Sequence, residues 1–225
     1  MIAVRPATFL GAFSAAALVA GCSTAERRPP STASVTVEEQ PTSAGWKGVA
    51  TVADESRIIR LDLAWQQALS EAKAKHSSDV SSEGALLTPK AALPRPQPTP
   101  GSYNCRMVSI GNSDKKAAVF TKFKPFFCYV LSDDAGVLTI VKQTGSQRPA
   151  GRLWEDDDPT RMIFLGSLAL GDEKEPLAYG EDQNRNMAGV FERIAPFTWR
   201  LVIPWPQSGA DLEVFELTPV ADQPE

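Results

Sequence analysis

The sequence predicts a mainly β protein: a small antiparallel up-and-down β-barrel preceded by an amphipathic helix. Three observations carry this. From Gly101 onward, short apolar runs with period-two character alternate with clusters of Gly, Pro, Asp and Ser. Most of the gaps between those runs are of hairpin length. Upstream, ESRIIRLDLAWQQALSEAKAKH repeats its apolar residues every three or four positions, the period of a helix with one buried stripe. A closed barrel is preferred to an open sandwich because closure leaves no edge strand exposed.

Before the helix come two segments of different character. Residues 1–21 carry one charge, Arg5, followed by the fourteen uncharged residues Ala7 to Ala20, ATFLGAFSAAALVA. That run is too short to span a bilayer, which takes about 20 apolar residues, and has the length of a signal-peptide core. It ends in Val19-Ala20-Gly21-Cys22. This resembles the bacterial lipoprotein signal, in which a thiol is needed for the thioether to diacylglycerol and small neighbours let the cysteine into the peptidase site. The resemblance implies that Cys22 becomes the acylated N-terminus. One acyl chain, at about 0.8 kcal/mol per buried methylene, binds a membrane marginally, and two or more hold it firmly. Ser23, in place of the Asp that marks retention, implies sorting to the outer membrane, facing the periplasm. Residues 22–45 are rich in Ser, Thr, Pro, Ala and charge and are expected to act as a disordered tether with a reach of roughly 26 Å.

Residues 46–100 are read as a helical segment and a Pro-rich linker. Ile58, Leu61, Trp65, Ala68, Leu69 and Ala72 form the stripe, Asp54 or Ser56 is the expected cap, and Lys73, Lys75 and His76 the expected C-terminal end. The stripe is expected to pack on the main domain. PRPQPTP, residues 94–100, is expected to be extended and stiff, about 22 Å of polyproline II. The barrel is placed at 101–220. Its strand candidates are 102–110, 118–121, 126–131, 137–142, 150–154, 161–170, 188–194, 198–203 and 212–217. Ser132 to Gly136 is the expected hairpin turn, with Gly136 in the left-handed region. In Thr198-Trp199-Arg200-Leu201-Val202-Ile203 the residues Trp199, Leu201 and Ile203 share one face and Arg200 takes the other. The segment 161–165 is apolar on both faces after Arg161, which predicts a cover, supplied by the helix.

The chain has 3 cysteines and 1 histidine. With Cys22 given to the lipid, Cys105 and Cys128 remain, an even pair in an oxidising compartment, expected as a disulfide on neighbouring strands worth roughly 3 kcal/mol. One histidine makes a zinc site with them a poor prospect, and no metal or cofactor site is expected. The formal net charge is −4, which gives no basic footprint for nucleic acid or for anionic lipid.

No catalytic constellation emerges. There is no G-x-S-x-G, no H-E-x-x-H and no phosphate-binding glycine loop. His76-Ser77-Ser78-Asp79 is read as a solvated helix end, and the acidic run Glu155-Asp156-Asp157-Asp158 as a hairpin tip, because it lacks the spaced ligands of a calcium loop. The polar stretch Thr144 to Pro149 links two strand candidates, and its Ser146, Gln147 and Arg148 are the candidate functional loop at a barrel mouth. Tyr179 to Arg185 is a second long polar loop.

The strings TGSQRPAGRLW, MIFLGSLALGDE, LAYGEDQNRNMAGVFERIAP, WRLVIPWP and DLEVFELTP, with ALPRPQPTPGSYNCR and PFFCYV upstream, resemble a bacterial envelope lipoprotein family catalogued as domain of unknown function 4893. The resemblance brings no activity, so no catalytic residue follows from it. The architecture is lipocalin-like, a likeness of shape that carries little functional weight. The expected function is that of a lipid-anchored envelope protein that binds another envelope protein without catalysis. The alternatives are a lipocalin-like carrier of a small apolar ligand, suggested by Trp154, Phe164, Phe191 and Trp199, and an envelope hydrolase, which would need two carboxylates facing a cleft.

Overall fold

The computed structural model describes residues 45–114, 117–171 and 173–221. The expected signal peptide, Cys22 and the tether up to residue 44 lie outside them. The chain opens with a short 3-10 turn, Trp46–Gly48, then helices α1, Val52–Ile59, and α2, Leu61–Ser82, and a second 3-10 turn, Gly84–Leu87. Nine strands follow: β1 Gly101–Ile110, β2 Phe120–Lys122, β3 Phe126–Ser132, β4 Leu138–Lys142, β5 Gln147–Glu155, β6 Arg161–Leu170, β7 Asn186–Ala195, β8 Thr198–Pro204 and β9 Leu212–Pro219.

All pairings are antiparallel and follow chain order, and β9 returns to pair with β1 over Tyr103 to Ile110. β2 and β3 pair with successive stretches of the same flank of β1, so together they occupy one position in the wall. The result is a closed, eight-position, up-and-down barrel. Closure consumes the backbone donors and acceptors that an edge would expose.

Side-chain alternation then creates two cores. Tyr103, Cys128, Val130, Ile140, Leu153, Phe164, Phe191, Trp199, Leu201, Phe215 and Leu217 fill the barrel. Their outward neighbours Val108, Ile110, Ile163, Leu165, Val190, Val202, Leu212 and Val214 form a second apolar surface that α2 covers with Leu61, Ala64, Trp65, Ala68, Leu69 and Ala72. The helical stripe is therefore packed, as the spacing predicts, and residues 161–165 are covered on both faces. Cys105 and Cys128, on adjacent β1 and β3, form a disulfide with Cα atoms 6.0 Å apart. Gly151 and Gly166 face each other across β5 and β6, and a Cβ on Gly166 would sit 2.7 Å from the Gly151 Cα and 2.8 Å from the Phe164 ring. Their lack of side chains lets the Phe164 ring lie flat against the wall.

The helical segment departs from expectation in three ways. Its N-cap is Thr51, whose hydroxyl accepts from the Asp54 N–H and donates to the Asp54 carboxylate, a reciprocal cap that Asp54 or Ser56 alone could not make. The one expected helix is two, broken at Arg60. His76 is not the end: the helix kinks there, at φ −134°, and continues so that Val80 regains the buried face. The His76 ring stacks on Phe120 at 5.5 Å, which supplies the reason for the kink's position. The Pro-rich stretch is also different. Arg95 takes φ 62°, which interrupts polyproline II, and Pro96 and Pro98 are buried. Leu93 bridges to Arg193, whose guanidinium donates to the Pro94 carbonyl at 3.0 and 2.5 Å. The segment is strapped to the barrel rather than standing off it.

Two ionic contacts hold the helical layer down. Arg200, fully buried on the outer face of β8, pairs with Glu192 at 2.6 Å. It also donates to the carbonyls of Ala85, Leu86 and Thr88 at 3.1, 3.1 and 2.8 Å, and its guanidinium lies over the Trp65 ring at 5.0 Å. Glu83 receives Arg106 at 2.6 Å and Lys122 at 2.7 Å. Among the described residues no helix is long and apolar enough to cross a membrane.

Arg200→Ala strands Glu192 and three helix-end carbonyls and should lower the unfolding free energy by about 3–5 kcal/mol, read from urea denaturation. Burial alone would push the Glu83 carboxyl up, but the hydrogen bonds from Lys122 and Arg106 outweigh it and hold it below its ordinary value of 4.5. Its contribution is therefore present above that value and is lost as pH falls through the lower folded value. Glu83→Gln should cost about 1–3 kcal/mol at neutral pH, and the deficit should close in strong acid.

Candidate functional site

Strand directions sort the connections into two ends. The segments after β1, β4, β6 and β8 meet at one end, the mouth. The hairpins after β3, β5 and β7 close the other. The lower barrel is filled by side chains, including the edge-to-face pair of Tyr103 and Trp199, whose centroids are 5.9 Å apart. The Tyr103 hydroxyl donates to the Thr99 carbonyl at 2.5 Å, and burial pushes its pKa up to about 12. Of the four aromatics considered for an apolar ligand, Phe164, Phe191 and Trp199 are part of this packing, and Trp154 faces out beneath the helical layer. They build the two cores.

At the mouth the filling stops, leaving a cavity of about 180 Å³. Its floor is apolar, from Met107, Leu168, Met187, Ile203 and Phe215. Its rim is polar, from Gln147, Asn184, Arg185, Gln207 and Ser208. Two opposite charges reach it from the wall: Lys142 at the end of β4 and Glu213 near the start of β9. Burial raises the Glu213 pKa, with the Ser208 hydroxyl and Lys142 offsetting only part of that effect. Burial lowers the Lys142 pKa, helped by the Arg148 charge and opposed by Glu213. The Lys142 ammonium stands over the Phe126 ring at 4.3 Å.

The candidate loop splits into different roles. Gln147 lines the cavity. Arg148 turns away and clamps the rim, donating to the carbonyls of Gly145 at 2.8 Å and Gly171 at 2.5 Å and to that of Glu173. The Ser146 carbonyl accepts from Gly171 N–H at 2.9 Å. Ser146 and Arg148 thus tie the β4–β5 connection to the β6–β7 connection. The second polar loop is likewise wired in. Arg185 pairs with Glu173 at 2.6 Å and with Asp182 at 3.5 Å. The Tyr179 hydroxyl donates to buried Asp54 at 2.6 Å, joining the loop to α1. At the closed end, Asp156 accepts the Trp46 indole N–H at 2.8 Å and the Arg161 guanidinium at 2.6 Å, and Asp158 caps the turn at Thr160. The acidic run is spent on that hairpin.

Sequence reading reached Gln147 but missed Lys142 and Glu213. A signal existed: each shares the period-two face of core residues, Lys142 with Ile140 and Leu138, and Glu213 with Phe215 and Leu217. A charge in step with the inward face of a strand points into a barrel. Among the described residues lining the cavity Glu213 is the one carboxylate, so the pair of facing carboxylates that a hydrolase would need is not formed there.

A filled antiparallel barrel, sheathed on one flank by helices and open only at a small charged mouth, defines a scaffold class. The chain belongs to the family whose model is described as Domain of unknown function (DUF4893), matched over residues 46–217. The matched unit starts at Trp46, the first buried residue among those described, and ends at Leu217, which packs inside the barrel on β9. The helical layer and the barrel are thus one family unit. No curated protein and no solved structure matches the chain.

Because the folded Glu213 pKa lies above its ordinary value of 4.5, the folded state binds its proton more tightly than the unfolded one, and ionising it costs stability as pH rises. The stability of Glu213→Gln minus that of the parent should therefore increase between about pH 4 and about pH 7, measured by chemical denaturation at both. A flat difference would put this carboxyl in bulk solvent.

Proposed function

We propose that this is a lipid-anchored protein of the cell envelope, held through Cys22 at the outer membrane and facing the periplasm, that acts by binding a protein partner at the barrel mouth without catalysis. The observation that supports it is the contrast between the two ends of the barrel. Below the mouth, side chains occupy the interior. At the mouth, polar groups from separate connections converge on one rim that is braced by Arg148 and Arg185. A braced rim of loops on a rigid barrel suits recognition of another surface, because little ordering remains to be done on contact. The lipocalin-like carrier reading survives only in reduced form. About 180 Å³ accommodates a compact body and no long acyl chain, since drug-sized ligands occupy roughly 300–1,000 Å³.

A photo-crosslinking residue at Gln207, on the rim, should capture one specific envelope protein in living cells. The same probe at Lys73, on the exposed face of α2, should not. Equal capture from both positions, or none from the rim, would overturn the mouth as the contact. Cys22→Ala should abolish incorporation of labelled fatty acid and shift the protein from the membrane to the soluble fraction. Labelling that survives the substitution would refute the anchor.

A further inference from the structure

The mouth cavity holds two opposite charges that the fold keeps apart. At this end of the barrel, ion pairs within 4.0 Å join Arg185 to Glu173 and Asp182, and among the described residues none joins Lys142 to Glu213. Arg185 is committed to Glu173 and Asp182, and Arg148 to three backbone carbonyls. Among the described residues Lys142 stands over the face of Phe126 and feels the Arg148 and Glu213 charges, and Glu213 has the Ser208 hydroxyl and the field of Lys142. Both charges carry a burial cost. Closing the gap between them would relieve it, so holding them apart across a cavity is a structural expense without return unless something bridges them.

The remaining features narrow what would bridge them. The floor is apolar, with Met107, Leu168, Met187 and Phe215. Two of these are methionines, whose unbranched thioethers adapt to irregular aliphatic shapes. The volume, about 180 Å³, is slightly more than that of a cavity of about 150 Å³ that holds benzene. By the same comparison the cavity itself takes roughly seven non-hydrogen atoms, and its opening at the mouth leaves room for the charged end of a slightly larger ligand. A ligand of this size needs a cation for Glu213, an anion for Lys142 and an apolar body for the floor.

We infer that the mouth cavity is a binding site for a free α-amino acid with a short aliphatic side chain, its ammonium on Glu213, its carboxylate on Lys142 and its side chain on the methionine-lined floor. The site lies beneath the rim and is independent of the protein contact proposed above. A charged pair held in fixed positions is preorganised for a zwitterion, because neither group has to move or shed a competing ion pair when the ligand arrives. A ligand carrying one charge leaves the opposite wall charge unanswered in a pocket only partly open to water, which is where discrimination comes from.

The test is calorimetric titration of the full-length chain, purified in detergent, with L-leucine and L-valine. Two mimics of leucine are titrated alongside, isoamylamine, which lacks the carboxylate, and 4-methylpentanoate, which lacks the ammonium. Saturable one-to-one binding of leucine or valine is expected, with each mimic at least tenfold weaker. Glu213→Gln and Lys142→Met should each weaken leucine at least tenfold, while Lys73→Gln leaves it unchanged. The mimic comparison uses the unaltered protein, so it decides the matter even if a cavity variant fails to fold. No heat from leucine or valine at millimolar concentration overturns the inference. So does an amine or an acid that binds as well as the amino acid, which would make the cavity a site for a single charge. The outcome is separable from the crosslinking at Gln207, because it is read on the isolated protein with no partner present.

Discussion

A barrel this small is apolar on both faces of its wall over five of its eight positions, and the need to cover the outer face governs the rest of the molecule. Val108, Ile110, Ile163, Leu165, Val190, Val202, Leu212 and Val214 would otherwise present one continuous greasy flank. The helical layer answers this need, and Arg200 fixes it in place. Its guanidinium touches a barrel carboxylate, the carbonyls closing the second 3-10 turn and the Trp65 ring together. The two parts depend on each other. The segment from Trp46 to Leu87 has little to fold against until the barrel has closed, and the closed barrel has an unprotected flank until the segment docks. Family membership from residue 46 to residue 217 fits that mutual dependence, since neither part makes a sensible unit alone.

Much of this architecture was legible in the sequence because it rests on periodicity. Alternation in Thr198 to Ile203 gave the inward face of β8, and the doubly apolar run after Arg161 gave a strand covered on both sides. The Cys105–Cys128 pairing followed from counting thiols and from strand adjacency. What escaped the reading depends on groups far apart in the chain. The kink at His76 answers to Phe120, 44 positions away. The Pro-rich run lies flat because Arg193 reaches the Pro94 carbonyl, which no local rule for proline contains. The cap at Thr51 was hidden by the more obvious acids after it.

The site shows the same division. Composition marks 144–149 as a polar loop, and the barrel brings its Gln147 to the mouth. Composition could not say that Ser146 and Arg148 serve as masonry for the rim. Nor could it show that the charges with room around them sit inside strands. Lys142 and Glu213 sit at the ends of largely apolar strands, LTIVK and LEVFELTP, where a charge is easily discounted as the solvent-facing member of the alternation. Closure of the sheet reverses that inference: both charges share the inward face, and for Glu213 the opposite face, Leu212 and Val214, is the one under the helices.

The first described residues are fastened at the opposite end from the mouth. The Trp46 indole is tied to Asp156 and the Lys47 ammonium to Asp157, both in the hairpin between β5 and β6. The barrel therefore has poles with different duties. A pull delivered through the N-terminal chain is taken up by an indole wedged against a buried carboxylate and passes into the wall through Arg161. A few residues later the same segment is also tied to the mouth connections, where Tyr179 donates to Asp54 and Arg57 to the Trp205 carbonyl, so a displacement at this end is felt at both poles.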